Sequence, residues 1–248
     1  MSAIFTLKKL ICDRFANKKK TFACFIDLKR AFDNVDRGLL FNKLHSLGIN
    51  RHFLQMLNHY YNNSETFVMS GKAWIGDAFK TRMGLPQGQE LMPILLALLF
   101  IADFCPNTNG EDDVGILDCM GKLILISAIF FADDLVLIAS SRDKLCELCD
   151  NFKIYCDVNK LTINYKKTKE MIFCKGKVSK VDTEEIKIGE QRIEKVTEFK
   201  YLGMWLTPQL RFTNHGVLRW EYSSWGEDCC VCKICNRRME WNHTCFYD

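Results

Sequence analysis

A chain of 248 residues, 48% hydrophobic and 12% aromatic, is long and apolar enough to form a packed core in one large or two small domains. The longest apolar stretch, residues 91–102, is too short to span a bilayer, and the N-terminus lacks the pattern of a secretory signal. Thirteen cysteines, an odd number without such a signal, favour a reduced intracellular protein over a disulfide framework. A net charge of +4 permits a nucleic-acid partner without requiring one.

The N-terminal part of the chain predicts alternating helical and extended segments. Apolar residues at near-helical intervals in AIFTLKKLICDRFANKKKT predict an amphipathic helix, and TFACFIDLK is rich in residues that favour strands. Two helices are predicted on either side of Gly48, followed by a hairpin over residues 66–82 with Gly71 near its turn. The loop MGLPQGQELMP then opens a further helix of buried character.

The second half of the chain predicts a β-hairpin, a long helix and several short strands. In FFADDLVLI, two apolar runs flank Asp133 and Asp134, so we expect a hairpin with this pair at its bend. A helix is predicted over residues 141–159, where Cys146, Cys149 and Cys156 recur at helical spacing. For these three cysteines the pattern favours apolar packing over metal binding.

The adjacent acids Asp133 and Asp134 raise an electrostatic question, because a buried and unpaired carboxylate is costly. A divalent cation would keep both ionised. Asp27 follows the apolar strand ACFI, so pairing of that strand beside the hairpin would bring three carboxylates together. Such oxygen ligands suit Mg²⁺, and two ions about 4 Å apart support in-line displacement at phosphorus. The alternative is a structural turn, which favours Asp regardless of function.

Five segments in a fixed order carry a more specific signal. They are FIDLKRAFDNVDR, MGLPQGQELMPILLALLFIADF, FFADDLVLI, LTINYKKTKEMIF and FKYLGMWL. With these segments the chain resembles the reverse transcriptases of non-LTR retrotransposons over residues 7–206. The resemblance implies an α+β polymerase palm, an antiparallel sheet backed by helices, with partial fingers and with the thumb largely missing.

The resemblance also implies roles for the acids and for one aromatic residue. Asp27 and Asp133 would be the main metal ligands and Asp134 the third carboxylate, together holding two Mg²⁺ ions. Phe32 matches the bulky residue that abuts the 2′ position of the sugar and favours deoxynucleotides. The alternative for Phe32 is a core aromatic where a strand meets a helix.

Residues of the second and fourth segments match positions that contact substrate. Gln87 and Gly88 match the loop used against the template and the incoming nucleotide, and Gly84 and Gly88 would let the backbone approach substrate closely. Lys167 matches a lysine that protonates or neutralises the pyrophosphate leaving group. A solvated basic turn is the alternative for Lys167.

The fifth segment matches the hairpin that grips the primer end. Tyr201 and Gly203 are the residues concerned, although any tight turn could use that glycine. The second segment departs from the family pattern, because Met92 stands before Pro93 where a small polar residue is usual. We therefore expect packing beneath the site to differ from that of the family.

The composition changes near the C-terminus. We expect a reverse transcriptase palm with partial fingers over residues 1–206 and a divergent Cys/Trp-rich tail over residues 207–248, disordered or foreign to the family. Cys232, Cys235, His243 and Cys245 form a C-x-x-C, H-x-C arrangement that could ligate one Zn²⁺. Its spacing fits no standard zinc pattern, and a foreign sequence would supply stray cysteines equally well.

The implied activity is RNA-directed DNA polymerisation by two-metal nucleotidyl transfer. The partners would be an RNA template, a DNA primer and deoxynucleoside triphosphates. The alternative is a catalytically inactive retroelement remnant that at most binds nucleic acid through phosphate contacts.

Overall fold

The computed structural model describes residues 2–85, 95, 104, 106, 114–117, 122–131, 134–176 and 184–210. The helices within these ranges are α1 (Ser2–Ala16), α2 (Arg37–Ser46), α3 (Arg51–Asn63) and α4 (Arg142–Val158). The strands are β1 (Thr21–Ile26), β2 (Thr66–Ser70), β3 (Ala73–Phe79), β4 (Gly115–Leu117), β5 (Leu123–Leu125), β6 (Ala128–Phe131), β7 (Asp134–Ala139), β8 (Lys169–Phe173), β9 (Lys187–Ile188), β10 (Gln191–Arg192), β11 (Glu194–Lys195), β12 (Phe199–Tyr201) and β13 (Met204–Leu206).

These elements confirm the helices predicted before residue 20, on either side of Gly48 and over residues 141–159. They also confirm the first strand and the hairpin over residues 66–82, which is formed by β2 and β3. Of the helix predicted after the glycine-rich loop, position 95 is helical, and the rest lies outside the described residues.

Within the described ranges, five strands form the central sheet, in the order β11-β8-β1-β7-β6. β1 pairs antiparallel with both β7 and β8, and β6 and β7 form the predicted antiparallel hairpin. β11 adds a short parallel edge to β8. The sheet therefore joins the strand before Asp27 to the hairpin that contains Asp134, although the two acids are far apart in the sequence.

Both faces of the central sheet are covered, because alternate residues of each strand point to opposite faces. On one face, Cys24, Leu137 and Ile172 join a core with buried residues of α2, α3 and α4; we call this the α4 face. On the other, Phe25 and Val136 pack with residues of α1 and of the β12–β13 hairpin; we call this the α1 face. The alternation decides to which face each polar residue of the sheet belongs.

The cysteines of α4 pack as the helical spacing predicts. Cys149 and Cys156 are buried in the core of the α4 face, and Cys146 packs against it. Among the described residues there is no group of three or more His, Cys, Asp or Glu side chains that could hold a metal ion. Within the same ranges no helix combines the length and the apolar character needed to cross a bilayer.

Candidate active site

Asp27 and Asp134 lie at the same end of the central sheet. The last register pair of β1 and β7 joins Ile26 to Leu135, so the next residues outward are Asp27 and Asp134. Strand alternation directs both side chains to the α1 face. Residues directly opposite each other in antiparallel strands have Cα atoms about 5 Å apart. The two carboxylates therefore converge on one point of the surface.

A cavity of about 350 Å³ opens at this point. Asp27 and Asp134 line it together with the aromatic residues Phe25, Phe199 and Tyr201. Its remaining charged lining residues are lysines: Lys166, Lys167, Lys169 and Lys200. Two acids beside several cations form a charge pattern that suits a phosphate-bearing ligand accompanied by divalent cations.

Asp27 is held by the chain segment that follows α4. Nδ2 of Asn164 donates to Oδ2 of Asp27 at 2.8 Å, and the backbone N–H of Asn164 donates to the carbonyl of Asp27 at 2.8 Å. The hydroxyl of Thr168, which is fully buried, accepts from the backbone N–H of Asp27 at 3.3 Å. Leu28 and Ile163 form an isolated antiparallel bridge beside these bonds. Both the backbone and the carboxylate of Asp27 are thereby fixed.

The lysines of the cavity come from a tight turn, from β8 and from β12. The backbone N–H of Lys167 donates to the carbonyl of Asn164 at 3.0 Å, which closes the turn, and the side chains of Lys166 and Lys167 are exposed. Lys169 is paired with Glu194, which offsets its charge. Lys167 lines the same cavity as the two acids.

Tyr201 places a polar atom in the apolar part of the cavity. Its side chain is only 3% exposed, and its ring centroid lies 5.3 Å from that of Phe25. Its hydroxyl has no hydrogen-bond partner among the described residues. Burial and, secondarily, the charge of Asp134 raise the pKa of this hydroxyl, so it stays protonated and can donate a hydrogen bond.

Two predicted substrate-binding residues are not among the described residues that line the cavity. Gly203 (φ +83°) and Leu202 (φ +47°) form the two-residue turn between β12 and β13, a geometry that requires positive φ. Phe32 is half-buried and packs against the core of the α4 face, so both interpretations of Phe32 stay open. Three further predicted residues, Asp133, Gln87 and Gly88, lie outside the described residues.

Comparison with known proteins gives a family for this arrangement. A family model described as "Reverse transcriptase (RNA-dependent DNA polymerase)" matches residues 2–206. The chain belongs to this family. The Retrovirus-related Pol polyprotein from type-2 retrotransposable element R2DM of Drosophila melanogaster is 27% identical over 79% of this chain and 18% of its own length. The RNA-directed DNA polymerase from mobile element jockey of Drosophila funebris is 27% identical over 81% of this chain and 21% of its own. The chain thus spans about a fifth of the length of these relatives.

Solved telomerase structures from Candida tropicalis share the fold of this chain. Apo telomerase superposes with a TM-score of 0.56 at 13% identity, covering 84% of this chain and 35% of that one. Telomerase in complex with a fragment of telomeric RNA gives a TM-score of 0.54 at 12% identity, covering 96% and 36%. At these identities the likeness concerns the fold, and it confirms the predicted α+β polymerase palm.

Asn164 is one residue of the candidate site that sequence reasoning missed. It stands three positions before Lys167 in LTINYKKTKEMIF, a segment that the sequence had already singled out. Its partner Asp27 is 137 positions away, so no local pattern indicates the contact. Thr168 and Lys200 were missed for the same reason. One local signal could have indicated Asn164: it is a polar amide that stands between alternating apolar residues and a basic turn.

The described donors fit a hard divalent cation. Carboxylate oxygens are the ligands that Mg²⁺ prefers, and Asp27 and Asp134 supply them from adjacent strand ends at a cavity. The amide of Asn164 donates to one carboxylate oxygen of Asp27, as outer partners of metal ligands commonly do. Asp133, next to Asp134 in the sequence, would add a third carboxylate.

Proposed function

We propose that this chain is the palm-centred domain of an RNA-directed DNA polymerase from a non-LTR retrotransposon. The observation that supports it most is the convergence of Asp27 and Asp134 on one lysine-lined cavity. The polymerase domain, with part of the fingers, is assigned to residues 1–206, and the tail to residues 207–248. An intracellular setting agrees with the odd number of cysteines.

Asp27, Asp133 and Asp134 are the proposed ligands of two Mg²⁺ ions. When bound, the ions supply activation of the attacking primer 3′-hydroxyl and stabilisation of the leaving oxygen. Asn164 keeps the carboxylate of Asp27 in one orientation by donating to Oδ2, which leaves the other lone pairs of the carboxylate for coordination. Thr168 fixes the backbone of Asp27 behind it.

The basic side of the cavity is assigned to the triphosphate and to the nucleic-acid backbone. The new bond forms between the primer 3′ oxygen and the α-phosphorus, the bond from that phosphorus to the pyrophosphate breaks, and the proton of the 3′-hydroxyl passes to water. Lys167 donates a proton to the departing pyrophosphate or neutralises its charge. Lys166 and Lys200 are exposed at the same cavity and are suited to phosphate contacts.

The remaining residues are assigned to substrate selection. Tyr201 and Gly203 are assigned to the hairpin that holds the primer end: the ring of Tyr201 packs against Phe25, and Gly203 forms the turn of the hairpin. Phe32 excludes a ribose 2′-hydroxyl, while Gln87 and Gly88 contact the template and the incoming nucleotide. The substrates are an RNA template, a DNA primer and deoxynucleoside triphosphates.

Primer extension tests this proposal. Purified protein is incubated with a DNA primer annealed to an RNA template, deoxynucleoside triphosphates and Mg²⁺, and we expect the primer to lengthen. Asp134→Asn should abolish extension, because it removes a proposed metal ligand. Asp157→Asn, an exposed acid at the end of α4, is the matched control and should extend normally. Extension by the Asp134→Asn protein at the control rate would refute the assigned role.

Measurements on the wild-type protein also distinguish an active polymerase from a catalytically inactive remnant. Binding of the primed template that weakens with salt, without extension by the wild type, would support a non-catalytic remnant that contacts phosphates only.

A further inference from the structure

The turn that carries Phe32 is held from behind by a distant segment of the chain. This turn covers residues 28–36, between Asp27 and α2, and residues 81–85 lie against it. The backbone N–H of Gly84 donates to the carbonyl of Val35 at 2.9 Å, and that of Leu85 donates to the carbonyl of Phe32 at 2.8 Å. The backbone position of Phe32 is therefore set by these two backbone hydrogen bonds.

Gly84 lies against the turn so closely that only glycine fits. Its φ is +84°, and a Cβ placed on it would lie 2.6 Å from the carbonyl oxygen of Asp33, where ordinary contact begins at 3.4 Å. The obstacle is backbone, so it cannot rotate away as a flexible side chain would. Gly84 thus makes a close approach to the chain's own turn, and the expected approach to substrate stays a prediction. Gly48, with φ of +79°, has nothing within 4 Å of the same position.

Arg37 fixes the supporting segment through its guanidinium group. Its Nε donates to the carbonyl of Gly84 at 2.9 Å, and Nη1 donates to that of Thr81 at 2.7 Å. Nη2 donates to the hydroxyl of Thr81 at 2.9 Å and to the carbonyl of Met83 at 3.2 Å. The guanidinium carbon lies 4.8 Å from the ring centroid of Tyr61. Only the planar fork of arginine reaches so many acceptors at once.

The support is enclosed within the protein. Arg37 is 9% exposed, and burial lowers the pKa of its guanidinium. Burial likewise raises the pKa of Tyr61 to about 12, so the ring stays neutral beneath the cation. The buried guanidinium donates four hydrogen bonds to the supporting segment. Because charge-assisted bonds are roughly twice as strong as neutral ones, together they hold this segment firmly. Arg37 and residues 81–85 therefore fix the turn, as Asn164 and Thr168 fix Asp27.

We propose that Arg37 and Gly84 are positioning residues for sugar selection: they hold the turn that carries Phe32 and so determine the preference for deoxynucleotides over ribonucleotides. This inference rests on the proposed polymerase function. A steric wall discriminates a 2′-hydroxyl by contact, so a displacement of several tenths of an ångström changes the selectivity. Arg37 and Gly84 act on the substrate only through the turn.

Single-nucleotide incorporation with matched deoxy- and ribonucleoside triphosphates tests the inference. The measured quantity is the ratio of the two incorporation efficiencies. Phe32→Val removes the wall and should lower the ratio most. Gly84→Ala should lower the ratio about tenfold, since small misplacements of a contact group cost up to about 100-fold. Gly48→Ala, which introduces a side chain at a similar φ in open space, should leave the ratio unchanged.

Arg37→Lys keeps a positive charge but loses the fork, and it serves if the Gly84→Ala protein does not fold. It should shift the ratio in the same direction. In the absence of nucleotide, hydrogen exchange of the amides in residues 28–36 should accelerate in both variants and not in Gly48→Ala. Neither a general loss of stability nor a slower reaction would by itself change the ratio.

The outcomes separate the two proposals. A ratio that falls in Phe32→Val and stays at the wild-type value in Gly84→Ala and Arg37→Lys would overturn the inference while the polymerase function stands. A ratio that does not respond to Phe32→Val would overturn it too, since the turn would then carry no wall. Absence of any incorporation by the wild type would contradict the polymerase function, and the inference with it.

Discussion

The two faces of the central sheet hold carboxylates in opposite environments. On the α1 face, Asp27 and Asp134 stand at the strand ends and line an open cavity. On the α4 face, Glu170 of β8 is completely buried opposite Cys24. Its Oε2 accepts from the backbone N–H of Ile186 at 3.1 Å. One sheet thus contains carboxylates that can reach a ligand and one that cannot.

The difference shows how position within a strand decides what an acid can do. Burial raises the pKa of Glu170, and the amine of Lys195, 3.6 Å from Oε1, offsets this only in part. At the strand ends, by contrast, water can solvate the carboxylate charge or a cation can bind it. A carboxylate buried on the α4 face is therefore a structural group, while those at the strand ends are available for chemistry. The same conservative amide substitution should affect the two kinds of site differently.

Asp27→Asn should cause the largest loss. The amide retains an oxygen that can accept from Asn164, so the thermal midpoint should stay close to that of the wild type. Primer extension should fall by at least about 1,000-fold, because a metal site supplies several kcal/mol to the transition state and each 1.4 kcal/mol is a factor of ten. Steady-state extension and a thermal melt measure both quantities. Near-wild-type extension by Asp27→Asn would break the comparison.

Lys167→Ala should lower the rate of nucleotide addition about 100-fold, within the range of a general acid. A solvent deuterium isotope effect on single-turnover addition should be present in the wild type and reduced in the variant. Lys166→Ala, the adjacent lysine of the same cavity, is the comparison. If Lys166→Ala shows the larger defect and the altered isotope effect, the assignment of Lys167 is wrong.

Asn164→Ala should lower extension about tenfold, the smaller end of what loss of an outer partner of a metal ligand costs. The defect should be partly overcome at higher Mg²⁺ concentration, because the ligand is misoriented and not lost. Asn164→Ala should also bind Mn²⁺ more weakly in a direct titration followed by electron paramagnetic resonance. Asn62→Ala, which loses a bond to the exposed side chain of Asn58 on α3, is the control. Equal Mn²⁺ binding by all three proteins would exclude a positioning role for Asn164.

Glu170→Gln should have the smallest effect on activity and a distinct effect on stability. The pKa of Glu170 is raised in the folded state above its ordinary value of 4.5, so the folded protein holds the proton more tightly than the unfolded chain. Wild-type stability should therefore fall as pH rises above about 4.5 towards the folded-state pKa. The Gln variant lacks this decline. Thermal melts from pH 4 to 8 that show parallel curves for the two proteins would contradict this account.

The hairpin and its acids could be predicted because their signals are local. Alternating apolar residues on both sides of an acidic pair indicate two strands and a bend, and the structure has β6 and β7 in those places. Convergence of Asp27 with this hairpin needed one further assumption, the pairing of β1 beside β7, which the register confirms. The five segments that resemble a known family, and their order along the chain, made that assumption reasonable.

Contacts between distant segments could not be predicted. Nothing near Asn164 indicates that its amide meets Asp27, since the contact depends on how the segment after α4 returns to the sheet. The close approach of Gly84 to the backbone of Asp33 was likewise missed, because Asp33 belongs to another segment of the chain. Arg37, at the start of α2, reads locally as an ordinary solvated helix residue, yet it is buried. Such residues are determined by tertiary packing.

Localised backbone cleavage by Fe²⁺ tests the central claim most directly, that the acid after β1 and the acidic pair of the hairpin share one cation site. Fe²⁺ replaces Mg²⁺, generates hydroxyl radicals with ascorbate and peroxide, and cuts the chain near the bound ion. We predict cuts near residue 27 and near residues 133–134, both competed by Mg²⁺ and both lost in Asp27→Asn. Cleavage at one of the two segments alone, or cleavage that persists in Asp27→Asn, would contradict a shared site.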